Sequence, residues 1–383
     1  MIKVFFYLFL LIIYPVETLE AEPLTLNQSS KSEAYEIELV TSGFKIPWGF
    51  VFLSNNKILL TERSGDIYIF DVQKKHKTKI KNPPNIRVDG QGGLLDVALS
   101  PSYKERGWIY FTYVKDINNQ GVTVLSRCKL KENNLVSWQD LLVTNSATDT
   151  SYHFGSRIAF DGEGHVYFGI GDRGYRPNGQ DLTNHAGSII RLNEDGSIPE
   201  DNPYRNDEKF LKEVWSFGHR NPQGLVYDFV NKRLWEIEHG PRGGDEINLI
   251  TKAANYGWPV ISYGKEYWGP IAVGEGTHRQ GMQQPVKVFT PSIAPGSLLF
   301  YNGDAFPEWK GNLFSGALKL RHINRIVLDS NGSAVKEQRL VEDLNERIRA
   351  LAQSPQGWIY FTTDSGRIYR IIPSKKTNED STA

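Results

Sequence analysis

Four stretches of this chain concentrate residues that could do chemistry, and no one of them repeats another. Tyr152-His-Phe-Gly-Ser-Arg157 places a histidine just ahead of an apolar run. A neutral imidazole takes up a proton near pH 7, as a general base must. Gly218-His-Arg-Asn-Pro-Gln-Gly224 packs His219, Arg220, Asn221 and Gln223 between two glycines, again before an apolar run. Polar groups are costly to bury unpaired, so such density at a strand entrance suits ligand contact. Asp89-Gly-Gln-Gly-Gly-Leu-Leu-Asp96 sets glycines around Gln91, where backbone can approach a ligand closely. Glu238-His-Gly-Pro-Arg-Gly-Gly-Asp-Glu-Ile-Asn-Leu249, followed by Asn255-Tyr-Gly-Trp-Pro259, offers the carboxylates Asp245 and Glu246 beside free carbonyls at Gly240 and Pro241. Calcium takes about six to eight such oxygens, so this is a possible calcium loop, though not of the EF-hand pattern. Late in the chain Lys319 and Arg321 follow Ala317-Leu318. Arg347-Ile-Arg349 then puts two cations on one face of an alternating strand. Each stretch also has a plainer reading: a hairpin turn, a hydrogen-bonded histidine, a turn network, a solvated acidic turn, a solvent-facing pair.

The elements that must carry these loops repeat. Six similar apolar runs follow turn signals: Asn56–Glu62, Gly107–Thr112, Gly164–Gly169, Lys232–Glu238, Gly311–Ser315 and Gly357–Thr362. The second and sixth share Gly-Trp-Ile-Tyr-Phe-Thr without change. Each has a partner run upstream: Trp48–Phe52, Leu94–Ser100, Arg157–Phe160, Gly224–Tyr227, a looser Ser297–Phe300, and Ile348–Ala352. A strand–turn–strand unit cannot bury both faces alone, but six stacked radially cover one another around a channel. The expected fold is therefore all-β, a six-bladed β-propeller of four-stranded antiparallel blades, with its chemistry at the channel mouth. Aromatic residues (9 Trp, 18 Tyr, 19 Phe) suit half-buried sheet surfaces, and 35 Gly suit many tight turns. No sustained 3.6-residue apolar period appears, so helices should be few and short.

The propeller is expected over residues 36–372, with 36–45 supplying a strand that closes the ring on the last blade. Lys3 precedes an apolar run from Val4 to Tyr14 and then Pro15, the pattern of a secretory signal over residues 1–21, with a poor cleavage site at Ala21. That run is too short to span a bilayer. Residues 22–35 read as a flexible segment and 373–383 as a disordered tail. The single Cys128 excludes an internal disulfide, and export without disulfides points to a bacterial periplasm. Lys plus Arg and Asp plus Glu are 44 each, which excludes a nucleic-acid surface; a charged ligand must meet a local cluster.

In combination the motifs resemble the soluble quinoprotein sugar dehydrogenases, the aldose sugar and soluble glucose dehydrogenases that use pyrroloquinoline quinone (PQQ). The resemblance rests on Gly90-Gln-Gly-Gly-Leu-Leu-Asp96, His153-Phe-Gly-Ser-Arg157, Gly171-Asp172 and Ile189–Pro203. It continues through Gly218-His-Arg-Asn-Pro-Gln-Gly-Leu225, Asp245–Ile250, Asn255-Tyr-Gly-Trp-Pro259 and Arg347-Ile-Arg349, in order from about Ile46 to Ile372. It implies oxidation of an aldose at its anomeric hydroxyl, with His153 as the base. Arg220 and Asn221 would hold the quinone's dione face, while Gln91, Lys319, Arg347 and Arg349 would contact the cofactor. Gly240 and Pro241 would bind a calcium ion that bridges to PQQ, and Glu246 and Tyr256 a second, structural calcium. An electron acceptor is implied as a further partner. The cations fit independently, because PQQ carries several carboxylates and Arg binds carboxylates bidentately.

Several features differ from the glucose-active branch. Tyr152 precedes the histidine where that branch has Asp. Only Arg173 to Ala186 follows the Gly-Asp stretch, where that branch has a long insertion, and its aromatic sugar platform is replaced around Phe289–Pro295. These favour a broader aldose enzyme, with Gln180 or Asp181 bordering the sugar pocket. Two other readings compete: a non-catalytic propeller binding module and a calcium-dependent propeller lactonase.

Overall fold

A computed structural model describes residues 35–374; the expected signal segment and nearly all of the expected tail lie outside them. Six four-stranded sheets, all antiparallel, form the six blades. The upstream runs become the innermost strands: Pro47–Ser54, Leu94–Leu99, Ile158–Phe160, Pro222–Asp228, Pro295–Phe300 and Ile348–Gln353, in blades one to six. The similar runs become the second strands: Lys57–Glu62, Ile109–Ile117, His165–Ile170, Arg233–Glu238, Leu313–Ala317 and Ile359–Thr363. Among the described residues, helix is confined to one turn at Tyr103–Arg106 and three 3₁₀ turns. Among the described residues no helix is long and apolar enough to cross a membrane.

The second strands read as continuous apolar runs because each blade is covered on both faces. Ile58, Leu59 and Leu60 are all fully buried. Leu59 packs toward blade two, with Leu94 and Phe111, while Ile58 and Leu60 pack toward blade six, with Tyr360. Such an apolar cluster fills each of the six interfaces between neighbouring blades. Inner strands approach closely where side chains are absent. A Cβ on Gly224 would lie 2.5 Å from the Leu298 amide nitrogen of the next blade.

The ring is closed by Tyr35–Thr41, which pairs antiparallel with Ile368–Pro373 as the outermost strand of blade six. The first and last described strands thus share one sheet; the closing strand expected over 36–45 spans Tyr35–Thr41. The channel is plugged rather than open. Arg157 of blade three donates to the Asp96 carboxylate of blade two at 2.8 Å. It also reaches the carbonyls of Gln223, Gly296 and Arg349 in blades four, five and six. Its guanidinium lies 4.0 Å from the Trp48 ring of blade one. One side chain therefore touches every other blade.

Candidate active site

The loops entering the innermost strands gather at one end of the channel. His153 sits in the loop before Ile158–Phe160, with a left-handed backbone (φ 58°). Two neighbours hold that conformation. Gln91, from the loop before blade two, accepts the His153 amide at 2.9 Å. Gly171 lies beneath it, where a Cβ would come 2.4 Å from the His153 carbonyl oxygen. Asp172 follows directly, and its Oδ1 is 2.6 Å from His153 Nδ1. The same oxygen accepts the Gly174 amide at 2.8 Å, and Oδ2 accepts the Trp258 indole N–H at 2.8 Å. Asp172 thus has acceptor duty on both oxygens and fixes the tautomer: Nδ1 carries the proton, and Nε2 is the basic nitrogen. Burial pushes the His153 imidazole below its ordinary value of 6.5; Arg220 adds to this, and Asp172 opposes it. Burial would raise Asp172, but His153, Arg220 and the Gly174 amide together hold it below the ordinary carboxylate value. The pair is a neutral imidazole on an ionised carboxylate. Gly171-Asp172 was visible as a motif, but the role of Asp172 needed the fold.

Arg220 and Asn221 lie in the loop before blade four's inner strand. The buried Glu238 carboxylate clamps this loop, accepting the Arg220 amide at 2.5 Å and the Asn221 amide at 3.1 Å. The Arg220 guanidinium donates to the carbonyls of His239 (3.0 Å) and Gly240 (2.9 Å) and lies 5.3 Å from the Trp258 ring. Its Nε is buried without a partner. Asn221 is buried and accepts from Gln223 at 3.2 Å. His219 bonds Ser216 through Nε2 at 2.9 Å and reaches Glu238 through Nδ1 only at 3.4 Å, while His239 bonds the Pro295 carbonyl, with burial pushing its imidazole down to about 3.

Blade six supplies Arg347 and Arg349, and they do not stand alone. Asp364 lies between them, bonded to Arg347 Nε at 2.8 Å and to Arg349 Nε and Nη2 at 2.8 and 3.0 Å. The anion demanded by two parallel arginines is thus the protein's own. Three positive charges still face one carboxylate, because Arg63 adjoins the group; burial and Arg349 push its guanidinium below the ordinary value. Arg63 escaped notice in the sequence, where Thr61-Glu-Arg63 has no neighbouring chemistry. Lys319 is exposed and forms no ion pair with any described residue.

Gly240 and Pro241, whose carbonyls are expected to bind metal, line one small cavity with Arg220 and His239. Gly240 accepts from Arg220, and Pro241 accepts the Tyr267 hydroxyl at 3.2 Å. Asp245 is a brace: it accepts the Gly240 amide, the Ala294 amide and the Ser292 hydroxyl. Glu246 and Tyr256 line the same cavity with Glu238, Gly240, Ile261 and Ser262. The Tyr256 phenol is already bonded to Leu249 and Thr251, so only its carbonyl remains for a metal. Gln180 is locked onto Asn255 and Trp258, and Asp181 braces Thr183 and Asn184.

Residues 44–370 match the family model described as Glucose / Sorbosone dehydrogenase. The chain is 36% identical over 361 residues to the aldose sugar dehydrogenase of Escherichia coli, covering 92% of this chain and 94% of that one. It is 28% identical over 428 residues to quinoprotein glucose dehydrogenase B of Acinetobacter calcoaceticus, covering 90% and 88% respectively. The crystal structure of the soluble E. coli aldose sugar dehydrogenase, in its apo form, superposes with a TM-score of 0.86 at 32% identity, over 89% of this chain and all of that one.

Proposed function

The chain belongs to the glucose/sorbosone dehydrogenase family of oxidoreductases, and from that premise we propose that it oxidises the anomeric hydroxyl of aldose sugars to the lactone with PQQ as hydride acceptor. The observation that carries this reading is the His153–Asp172 pair at 2.6 Å, with Arg220 close enough to act on His153 and Arg349 on the neighbouring His239. His153 Nε2 takes the proton of the anomeric O–H, while the C1 hydrogen leaves as hydride and the C1–O bond becomes a carbonyl. Asp172 holds the ring in the right tautomer and stabilises the imidazolium as it forms. Bound PQQ would supply the two-electron acceptor.

The residues present fit that group. Arg220 has an orphaned, buried Nε, and Arg347 and Arg349 outnumber their shared carboxylate. Arg220, Asn221, Gln91, Lys319, Arg347 and Arg349 would hold the cofactor. Gly240 and Pro241 present carbonyl oxygens suited to calcium, and Glu246 with the Tyr256 carbonyl would hold a second calcium. A hydrolase reading would need unpaired carboxylates converging from several blades, whereas Asp172 and Asp364 are both committed to cations or donors. The secretory pattern at residues 1–21 supports a periplasmic location and an acceptor there.

The test is spectroscopic. Chelator-treated protein is given PQQ, then calcium, then an aldose. Bleaching of the bound quinone band only when all three are present supports the reading. Absence of bleaching with every aldose tried, despite bound PQQ, overturns it.

A further inference from the structure

Blade four buries acid without visible compensation. Glu236 and Glu238 lie on its second strand, opposite Asn248 and Glu246 on the third. Alternation puts all four on one face, and like charges so placed repel. His219 hangs over them from the strand-entrance loop, its ring stacked on Tyr256 at 4.7 Å and 23°. One donor atom each from His219, Glu236 and Glu238 lies within 4.8 Å of the other two. All three residues are buried, His219 and Glu236 completely. Among the described residues, no lysine or arginine pairs with Glu236, Glu238 or Glu246. Glu236 Oε2 accepts from Asn248, but Glu236 Oε1 and Asn248 Oδ1 are buried with no partner. Glu238 Oε2 is used on the Arg220 and Asn221 amides, while its Oε1 makes only long contacts of 3.4 Å, to His219 Nδ1 and Asn248 Nδ2.

We propose that blade four holds a divalent transition cation, of the zinc or manganese class, between His219 Nδ1, Glu236 and Glu238. A buried carboxylate pair is retained with a charge partner, a metal or a shared proton, and here an imidazole nitrogen and an unpartnered carboxylate oxygen stand together. One imidazole nitrogen with two carboxylates suits a borderline cation and not calcium or magnesium, which take oxygen. Loose 3.4 Å contacts leave room for an ion to draw the donors inward. The site differs from the Glu246–Tyr256 slot in its nitrogen donor and in using Glu236. Its position gives it a role. The cation would polarise and fix Glu238, the carboxylate that clamps Arg220 and Asn221 at the mouth. This inference does not depend on the sugar or the quinone.

The experiment uses the full chain without PQQ, stripped by chelator and dialysed against Zn²⁺, Mn²⁺ or Ca²⁺ in turn, with metal content measured by mass spectrometry. Wild type and Glu246→Gln should each keep one equivalent of Zn²⁺ or Mn²⁺ that Glu236→Gln loses. Loss of an outer-shell partner alone costs about 10–100-fold in metal affinity, so loss of this ligand should cost at least about a hundredfold. The Gln side chain matches Glu in shape and removes the buried charge, so the metal-free variant should melt no lower than metal-free wild type. Anomalous scattering from zinc-soaked wild-type crystals gives a reading that needs no variant. A peak between His219 and Glu236 supports the site. No stoichiometric Zn²⁺ or Mn²⁺, equal retention in Glu236→Gln, or a peak only at Glu246 overturns it.

Discussion

At the scale of single residues, the proposal stands on one nitrogen. His153 is partly buried, neutral and oriented by Asp172, so its removal should strike the chemical step and spare cofactor binding. Positioned proton transfer is worth about 10²–10⁴-fold in rate. His153→Ala should bind PQQ within a few-fold of wild type and reduce it with aldose at least about a hundredfold more slowly, measured by stopped flow. The direction of the His153 shift sets the pH profile. Burial favours the neutral imidazole, so the acid limb of the wild-type rate should have its midpoint below 6.5. That acid limb should vanish in the alanine variant; a near wild-type rate there would move the base elsewhere. Asp172→Asn should also slow reduction, by at least about tenfold within the same range. It removes the group that raises the imidazole, so any remaining acid limb should move to lower pH. An unmoved limb would show that Asp172 acts only in packing. The His153 motif was legible because its residues are adjacent. Asp172 was not legible as its partner, because 19 positions separate them and only the return of the next strand brings them together.

At the scale of elements, the repeated runs announced their strands because a doubly covered strand must be apolar throughout. Even the looser fifth partner folds as an inner strand, Pro295–Phe300. What the pattern could not show was which loop carboxylates the strands bring together. Arg347 and Arg349 were visible as parallel cations, but Asp364 comes from the turn after the next strand. That pairing shapes the prediction for Arg349→Ala. Asp364 keeps Arg347, so the blade should fold, while the mouth loses one carboxylate partner. A lost charge-assisted hydrogen bond costs about 1.5–3 kcal/mol, so PQQ affinity should fall roughly tenfold to a hundredfold. Titration of PQQ into the variant measures it, and unchanged affinity would mean that Arg349 serves only Asp364.

At the scale of the whole molecule, the ring has two devices against splaying. One is the closing strand Tyr35–Thr41, which the sequence made legible by its alternation. The other is Arg157, which appears in sequence as one more residue of the His153 motif; nothing local marks it as a plug. Its guanidinium is buried, and burial pushes it below its ordinary value while Asp96 opposes that. Breaking such a pair by removing one partner strands the other charge and costs about 3–5 kcal/mol. Arg157→Met fills much of the same volume but leaves the Asp96 carboxyl without its ion-pair partner and three carbonyls, on blades four, five and six, without this donor. Its urea midpoint should fall by an amount corresponding to that range. Adding Asp96→Asn removes the stranded charge while keeping an oxygen for the Ile158 amide, which Asp96 accepts at 2.9 Å. The double variant should therefore recover part of the loss. If Arg157→Met alone unfolds within about 1 kcal/mol of wild type, the plug contributes little, and the six apolar interfaces hold the ring without it.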